Sequence, residues 1–175
     1  MSTATQQETT IPAGTWASDP VHSRVGFEVK YLGVASFTGE VTDFEARLSE
    51  GELAGRARVS SIEVKDENLY AHLQSPEFFD AERHPELTFS GTPDGEGRVA
   101  GELTIKGITR PVTLQAAVTG PVTDPYGNER YGLALEAVID RTAFGLEWNA
   151  PLPGGGFALA NDVTLKAELS LVKAA

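Results

Sequence analysis

Apolar and polar residues alternate with period two along most of the chain, the pattern of strands with one buried and one wet face. In residues 23–31, Val25, Phe27, Val29 and Tyr31 share one face, and Arg24, Glu28 and Lys30 share the other. Tyr131, Leu133, Leu135, Ala137 and Ile139 repeat the pattern against Glu136 and Asp140. Val163, Leu165, Ala167, Leu169 and Leu171 do so against Thr164, Lys166, Glu168 and Ser170. Further strands are expected over 38–48, 54–64, 86–92, 98–105 and 112–118. Turn chemistry separates them: Pro93-Asp94-Gly95-Glu96-Gly97 signals a hairpin, and residues 49–52, 106–111 and 124–128 supply three more turns. About eight strands joined mostly by short turns predict an all-β sandwich or barrel.

Two segments break the rhythm. Asp66 is placed to cap a short helix in which Leu69 and Leu73, four apart, share a face. Ser75-Pro76-Glu77 reads as the start of a second helix leading into Phe78-Phe79. The two Phe beside Leu69 and Leu73 make an apolar plug that closes a barrel end or gates a ligand. The other segment, residues 149–161, is a Pro/Gly-rich loop carrying Phe157 and Leu159, long enough to read as a mobile lid.

Composition narrows the function without naming it. The 175 residues suit one domain, expected over 14–175 after a polar, disordered tail at 1–13. A net charge of −11 argues against nucleic-acid binding and against electrostatic attachment to anionic lipid. No apolar stretch is long enough for a membrane helix, no secretory signal is apparent, and a cytoplasmic location is the expectation. The absence of cysteine excludes disulfides, thiolate metal sites and a cysteine nucleophile. His22, His72 and His84 lack metal-site spacing, so no metal is expected, and His22 reads as a turn-fixing group. There is no nucleophile elbow and no phosphate loop, so nothing marks a catalytic residue. What stands out is apolar: Phe27, Tyr31, Phe37, Phe44, Phe89, Phe144 and Trp148 sit among many aliphatic residues. In a sandwich such side chains fill the core, whereas an eight-stranded barrel has room for one small ligand. Periodicity leaves both open.

Several segments resemble the YceI-like family. They are Asp19-Pro20-Val21-His22-Ser23-Arg24-Val25-Gly26-Phe27-Glu28-Val29-Lys30, His72-Leu73-Gln74-Ser75-Pro76-Glu77-Phe78-Phe79-Asp80 and His84-Pro85-Glu86-Leu87-Thr88-Phe89. Residues 101–112 (GELTIKGITRPV) give the most specific match, and Asp140-Arg141-Thr142-Ala143-Phe144-Gly145 resembles the family's Asn/Asp-Arg-x-x-Phe-Gly segment. The chain departs from the family at Tyr31, where a His is usual, and at Tyr70-Ala71, where Arg-Asp is usual.

The resemblance implies a lipocalin-like antiparallel eight-stranded barrel with one or two short helices and a long apolar tunnel. It also implies a polyisoprenoid ligand, such as an isoprenoid quinone or polyprenyl phosphate, or another long amphiphile. The expected role is therefore non-catalytic binding, sequestration or transport of an apolar lipid, with no cofactor, no stable membrane insertion and a homodimeric state. An enzyme acting on a lipid-like ester or isoprenoid, and a structural module with a filled barrel, are the alternatives. Expected ligand contacts are Phe27, Val29, Tyr31, Phe37, Phe78, Phe79, Leu103, Ile105, Leu133, Leu135, Phe144 and Trp148. Arg141 continues the inward parity of residues 131–139 and is placed to meet a polar head group, the alternative being an internal ion pair with Asp or Glu.

Overall fold

In a computed structural model, which describes residues 13–174, the chain forms eleven antiparallel strands in one sheet, with one α-helix. The strands are β1 (Thr15–Ser18), β2 (Arg24–Tyr31), β3 (Ala35–Val41), β4 (Phe44–Ser49), β5 (Glu52–Arg58) and β6 (Ile62–Glu63). After helix α1 (Glu67–Gln74) come β7 (Glu86–Pro93), β8 (Arg98–Ile105), β9 (Ile108–Thr123), β10 (Glu129–Asp140) and β11 (Leu159–Lys173). The tail expected at 1–13 lies, apart from Ala13, outside the described residues.

Eight strands close a ring in the order β1–β4–β5–β7–β8–β9–β10–β11, because β11 bonds back to β1. Strand β11 is long enough to serve two partners along one edge. Its last residues face β1, with Leu171 opposite Ser18, and its earlier residues face β2, with Ala167 opposite Val25. The Asp-Pro-Val-His-Ser segment makes that offset: the Asp19 amide donates to the Ser170 carbonyl, and the Ser170 amide donates to Ser23 Oγ at 2.9 Å. Strand β2 then carries β3 and β6 outward, so the barrel flares at this end.

Apolar side chains meet inside in two groups. Trp16, Leu48, Leu53, Val99, Leu133 and Leu171 pack the closed end. At the flared end Val41, Val59, Ile62, Leu73, Phe78, Phe79, Ile139 and Phe144 form the second group, with α1 lying across it. Asp66 caps α1 as its position suggests, Oδ1 accepting from the amides of Asn68 and Leu69 at 2.8 and 3.0 Å. Tyr70, at one family departure, docks the helix by donating to the Ser60 carbonyl at 2.8 Å.

The structure differs from the sequence reading at several boundaries. Strand β1 was not anticipated. The segment 38–48 divides at Thr42–Asp43, where Ser61 takes over the backbone: its Oγ accepts from the Asp43 amide and its carbonyl from the Thr42 amide. The segment 54–64 divides at a 3₁₀ turn, Val59–Ser61. The expected turn at 106–111 shrinks to Lys106-Gly107, whose φ values of 53° and 74° suit a two-residue hairpin. No second helix forms, since Ser75 ends α1 with its Oγ donating to the His72 carbonyl at 2.6 Å.

Candidate functional site

Between the two apolar groups lies a cavity of about 420 Å³. The barrel is not filled. Phe27, Phe37, Leu103 and Leu165 line this space and are only half-buried, because the neighbour they face is empty volume. Two wall devices keep the rings back. The Phe27 ring lies over Gly39, its cross-strand partner, where a Cβ would collide with it. The Phe89 ring lies along Gly91 and Gly101, its Cζ 2.8 Å from where either Cβ would stand. The deep end is Leu53, Leu114, Leu135 and Leu169, backed by the closed-end core. At the other end the wall comprises Tyr31, Leu69, His72, Trp148 and Ala150, and Tyr31 is 45% exposed, so the cavity meets the surface there.

The residues proposed from sequence divide cleanly. Phe27, Val29, Tyr31, Phe37, Phe78, Phe79, Leu103, Ile105, Leu135, Arg141 and Trp148 all line the cavity. Leu133 and Phe144 do not. Leu133 is packed in the closed-end core at 3% exposure, and Phe144, at 2%, is buried beyond the end of β10. His72 and Leu146 line the space as well, outside the expected contacts, and so does Leu69, expected only as part of the plug or gate. For His72 and Leu69 the only available signal was the one-turn spacing on α1.

Of the polar residues on this wall, Arg141 and His72 both meet Trp148, one at its carbonyl and the other at its ring. Asp140 caps a 3₁₀ turn, Arg141–Phe144, by accepting from the Thr142 amide and hydroxyl at 2.9 and 2.6 Å, bonds that hold its carboxyl below the usual range. Gly145 ends the turn at φ 77°, so the Asp-Arg-x-x-Phe-Gly motif reads as cap, inward cation, buried ring and left-handed stop. Arg141 is 3% exposed. Its Nε donates to the Ala160 carbonyl at 2.9 Å, and Nη1 donates to the carbonyls of Leu146 and Trp148 at 2.6 and 2.8 Å. The internal carboxylate pair considered from sequence is absent: every hydrogen-bond partner of the guanidinium is a backbone oxygen. Burial pushes its pKa below the ordinary guanidinium range, and Asp140 opposes that shift. Beside it the His72 ring stands edge-on to Trp148 at 4.4 Å and to Phe78 at 4.9 Å, with Nε2 2.8 Å from Glu77.

The loop expected over 149–161 is shorter and better tied than a free lid. Asn149 Oδ1 accepts from the Leu159 amide at 2.9 Å while Nδ2 donates to the Leu159 carbonyl at 2.7 Å. Pro151 bridges to Phe157, and Leu159 already belongs to β11. The remaining histidines stand elsewhere. His22 fixes its turn through Asp19, 2.7 Å away, and His84 packs on Gly107. Arg130 ties that turn to the β9–β10 hairpin through Asp19 at 2.9 Å and Asp124 at 2.7 Å. Among the described residues no His, Cys, Asp and Glu cluster fits a metal ion, and no helix is long and apolar enough to cross a membrane.

Comparison with known proteins gives the same architecture. BcnA of Burkholderia cenocepacia superposes with a TM-score of 0.74 at 22% identity, over 87% of this chain and 98% of that one. A polyisoprenoid-binding domain of Saccharophagus degradans, implicated in plant cell wall breakdown, gives 0.73 at 12% identity, over 93% and 100%. At the level of sequence, a UPF0312 protein of Staphylococcus aureus is 32% identical over 158 residues, 85% of this chain and 92% of that one. The YceI-like domain matches residues 16–171. The chain therefore belongs to the YceI-like family.

Proposed function

We propose that the protein binds one long-chain, polyisoprenoid-type lipid in the barrel cavity and sequesters or carries it without chemical change. The observation that carries this reading is the unfilled, almost wholly apolar space of about 420 Å³. That volume lies toward the low end of the roughly 300–1,000 Å³ typical of small-molecule sites, so it suits one chain rather than two. Burial of such a tail is worth at most ~0.8 kcal/mol per methylene before the cost of ordering it. The polyisoprenoid-binding neighbour supports this ligand class, and an isoprenoid quinone is one member of it. No histidine of the described residues bonds a hydroxyl that would serve as nucleophile, which favours binding over hydrolysis.

Mass spectrometry of an organic extract of the purified protein tests the proposal, with near one-to-one recovery of a single-chain lipid as the expected result. An empty extract, together with no binding of geranylgeraniol to the protein, overturns it. The homodimeric state and cytoplasmic placement expected from the resemblance belong to the same proposal, and light scattering and cell fractionation check them.

A further inference from the structure

We propose that Arg141 is the head-group anchor of this cavity, and that it selects a single-chain amphiphile ending in an oxyanion, a carboxylate or a phosphate, seated tail inward. The inference rests on the lipid-binding reading above and narrows it to a ligand class.

A guanidinium has five N–H donors. Three are used by the carbonyls of Ala160, Leu146 and Trp148, and both of those on Nη2 lack a partner although that atom is shut off from solvent. The charge is as incompletely met as the donors. Asp140 spends its carboxylate on Thr142, and Glu77, 64% exposed, bonds His72. A buried cation hydrogen-bonded only to carbonyls, with Asp140 acting on it through space alone, gains from an arriving oxyanion a closer counter-charge and a charge-assisted hydrogen bond. In the empty barrel Nη2 is covered, so the head group must displace that cover. Once there it sits out of water, where such a bond is strongest.

Position fixes the orientation. Arg141 follows Ile139 at the flared end of β10 and is fastened to Trp148 at the mouth, whereas the deep end is walled by Leu53, Leu114, Leu135 and Leu169, and Arg56, a second cation-bearing residue of the wall, already pairs with Glu45 and Glu86. An amphiphile entering tail first leaves its head at Arg141. The reverse orientation strands an oxyanion among leucines.

Two probe pairs with matched tails test this on the full chain: cis-parinaric acid against its methyl ester, and geranylgeranyl monophosphate against geranylgeraniol. Fluorescence titration and competition should show the wild type preferring an oxyanion by about tenfold or more, the range of one charge-assisted bond. Whichever pair shows the larger preference identifies carboxylate or phosphate as the natural head. Arg141→Met should abolish the preference while retaining the neutral probes. Because that variant also loses three carbonyl bonds, its melting curve is taken first, and if it does not fold the wild-type preference alone decides. Equal affinity within both pairs, or a preference that survives in folded R141M, overturns the anchor and leaves lipid binding standing. Failure of all four probes to bind overturns lipid binding itself, and the anchor with it.

Discussion

Placing the same indole at Leu103 and at Leu133 separates empty space from packed core within one molecule. Leu103 on β8 faces the cavity and is half-buried, opposite Phe89 and Arg110 in the ladder. Leu133 on β10 is 3% exposed, opposite Val118 and Leu169, within the group around Trp16. Overpacking a filled core costs about 1–3 kcal/mol. In a chain of this size 1 kcal/mol moves Tm by about 2–4 °C, so Leu133→Trp should lower Tm by roughly 2–12 °C. Leu103→Trp puts its bulk into the 420 Å³ space, and its Tm should shift by less than about 3 °C.

Ligand affinity should move the other way. An indole at 103 displaces roughly two to three tail methylenes from the wall, ~1.6–2.4 kcal/mol, or about 15- to 60-fold in Kd. Calorimetry of delipidated protein, followed by titration with cis-parinaric methyl ester, reads both quantities. Leu135 is the poorer probe, since it belongs to the packed end and the cavity wall together. The reasoning fails if L103W loses as much stability as L133W, or if it binds the ester as well as the wild type does.

Three further outcomes follow from other parts of the fold. Asp66→Ala removes the cap of α1 and should cost ~1 kcal/mol, a fall in Tm of about 2–4 °C; an unchanged Tm means the helix is held by packing alone. Asp19 is kept well below the usual carboxylate range by His22 and then Arg130, and Asp124 by Arg130 first. Carboxyls depressed in the fold stabilise above their unfolded pKa of about 3.9 and lose that contribution as pH falls toward their folded values. Arg130→Met should therefore destabilise most at neutral pH, with the gap to wild type narrowing below about pH 4, and a gap independent of pH refutes the linkage. By hydrogen exchange, Gly154, Gly156 and Phe157 should exchange far faster than residues 133–139, which lie in ladders on both sides or in the core. Equal protection would show the mouth loop to be as rigid as the barrel.

Much of this site is carried by local pattern. Parity alone puts Phe27, Val29 and Tyr31 on the cavity side of β2, and extending the β10 parity one step past Ile139 turns Arg141 inward. Parity says nothing about position along the barrel axis. Leu133 and Leu135 share a face and are two residues apart, yet one is core and the other reaches the cavity. Phe144 falls where period two has already given way to a 3₁₀ turn, so its side could not be counted out. His72 sits on a helix of two turns, and which side of so short a helix meets the barrel depends on docking through Tyr70 and Gln74 to the 59–61 turn. Strand β1 is four residues long, too short to display an alternation, and exists because β11 and β4 both pair with it.

Whether the barrel is full or empty is decided by register, which is non-local. A strand slipped by two keeps its side chains on the same face but gives each a different cross-strand neighbour. Here Phe27 meets Gly39 across the ladder, and Phe89 runs along the Gly91–Gly101 pair, so the rings lie against bare backbone. A glycine within a strand costs roughly 0.5–1 kcal/mol relative to alanine and adds no packing area. Three such positions under two rings weaken the wall, and what they provide is room. A filled barrel gains nothing from that arrangement, because side chains at 39, 91 and 101 would stiffen the strands and the rings would still find apolar neighbours. An open barrel needs it, since each ring laid flat on the wall adds apolar lining without taking up lumen. The emptiness is thus built into the strand pairing, and Arg141, with two donors unspent, stands at the end where the head of a tail-first occupant would come to rest.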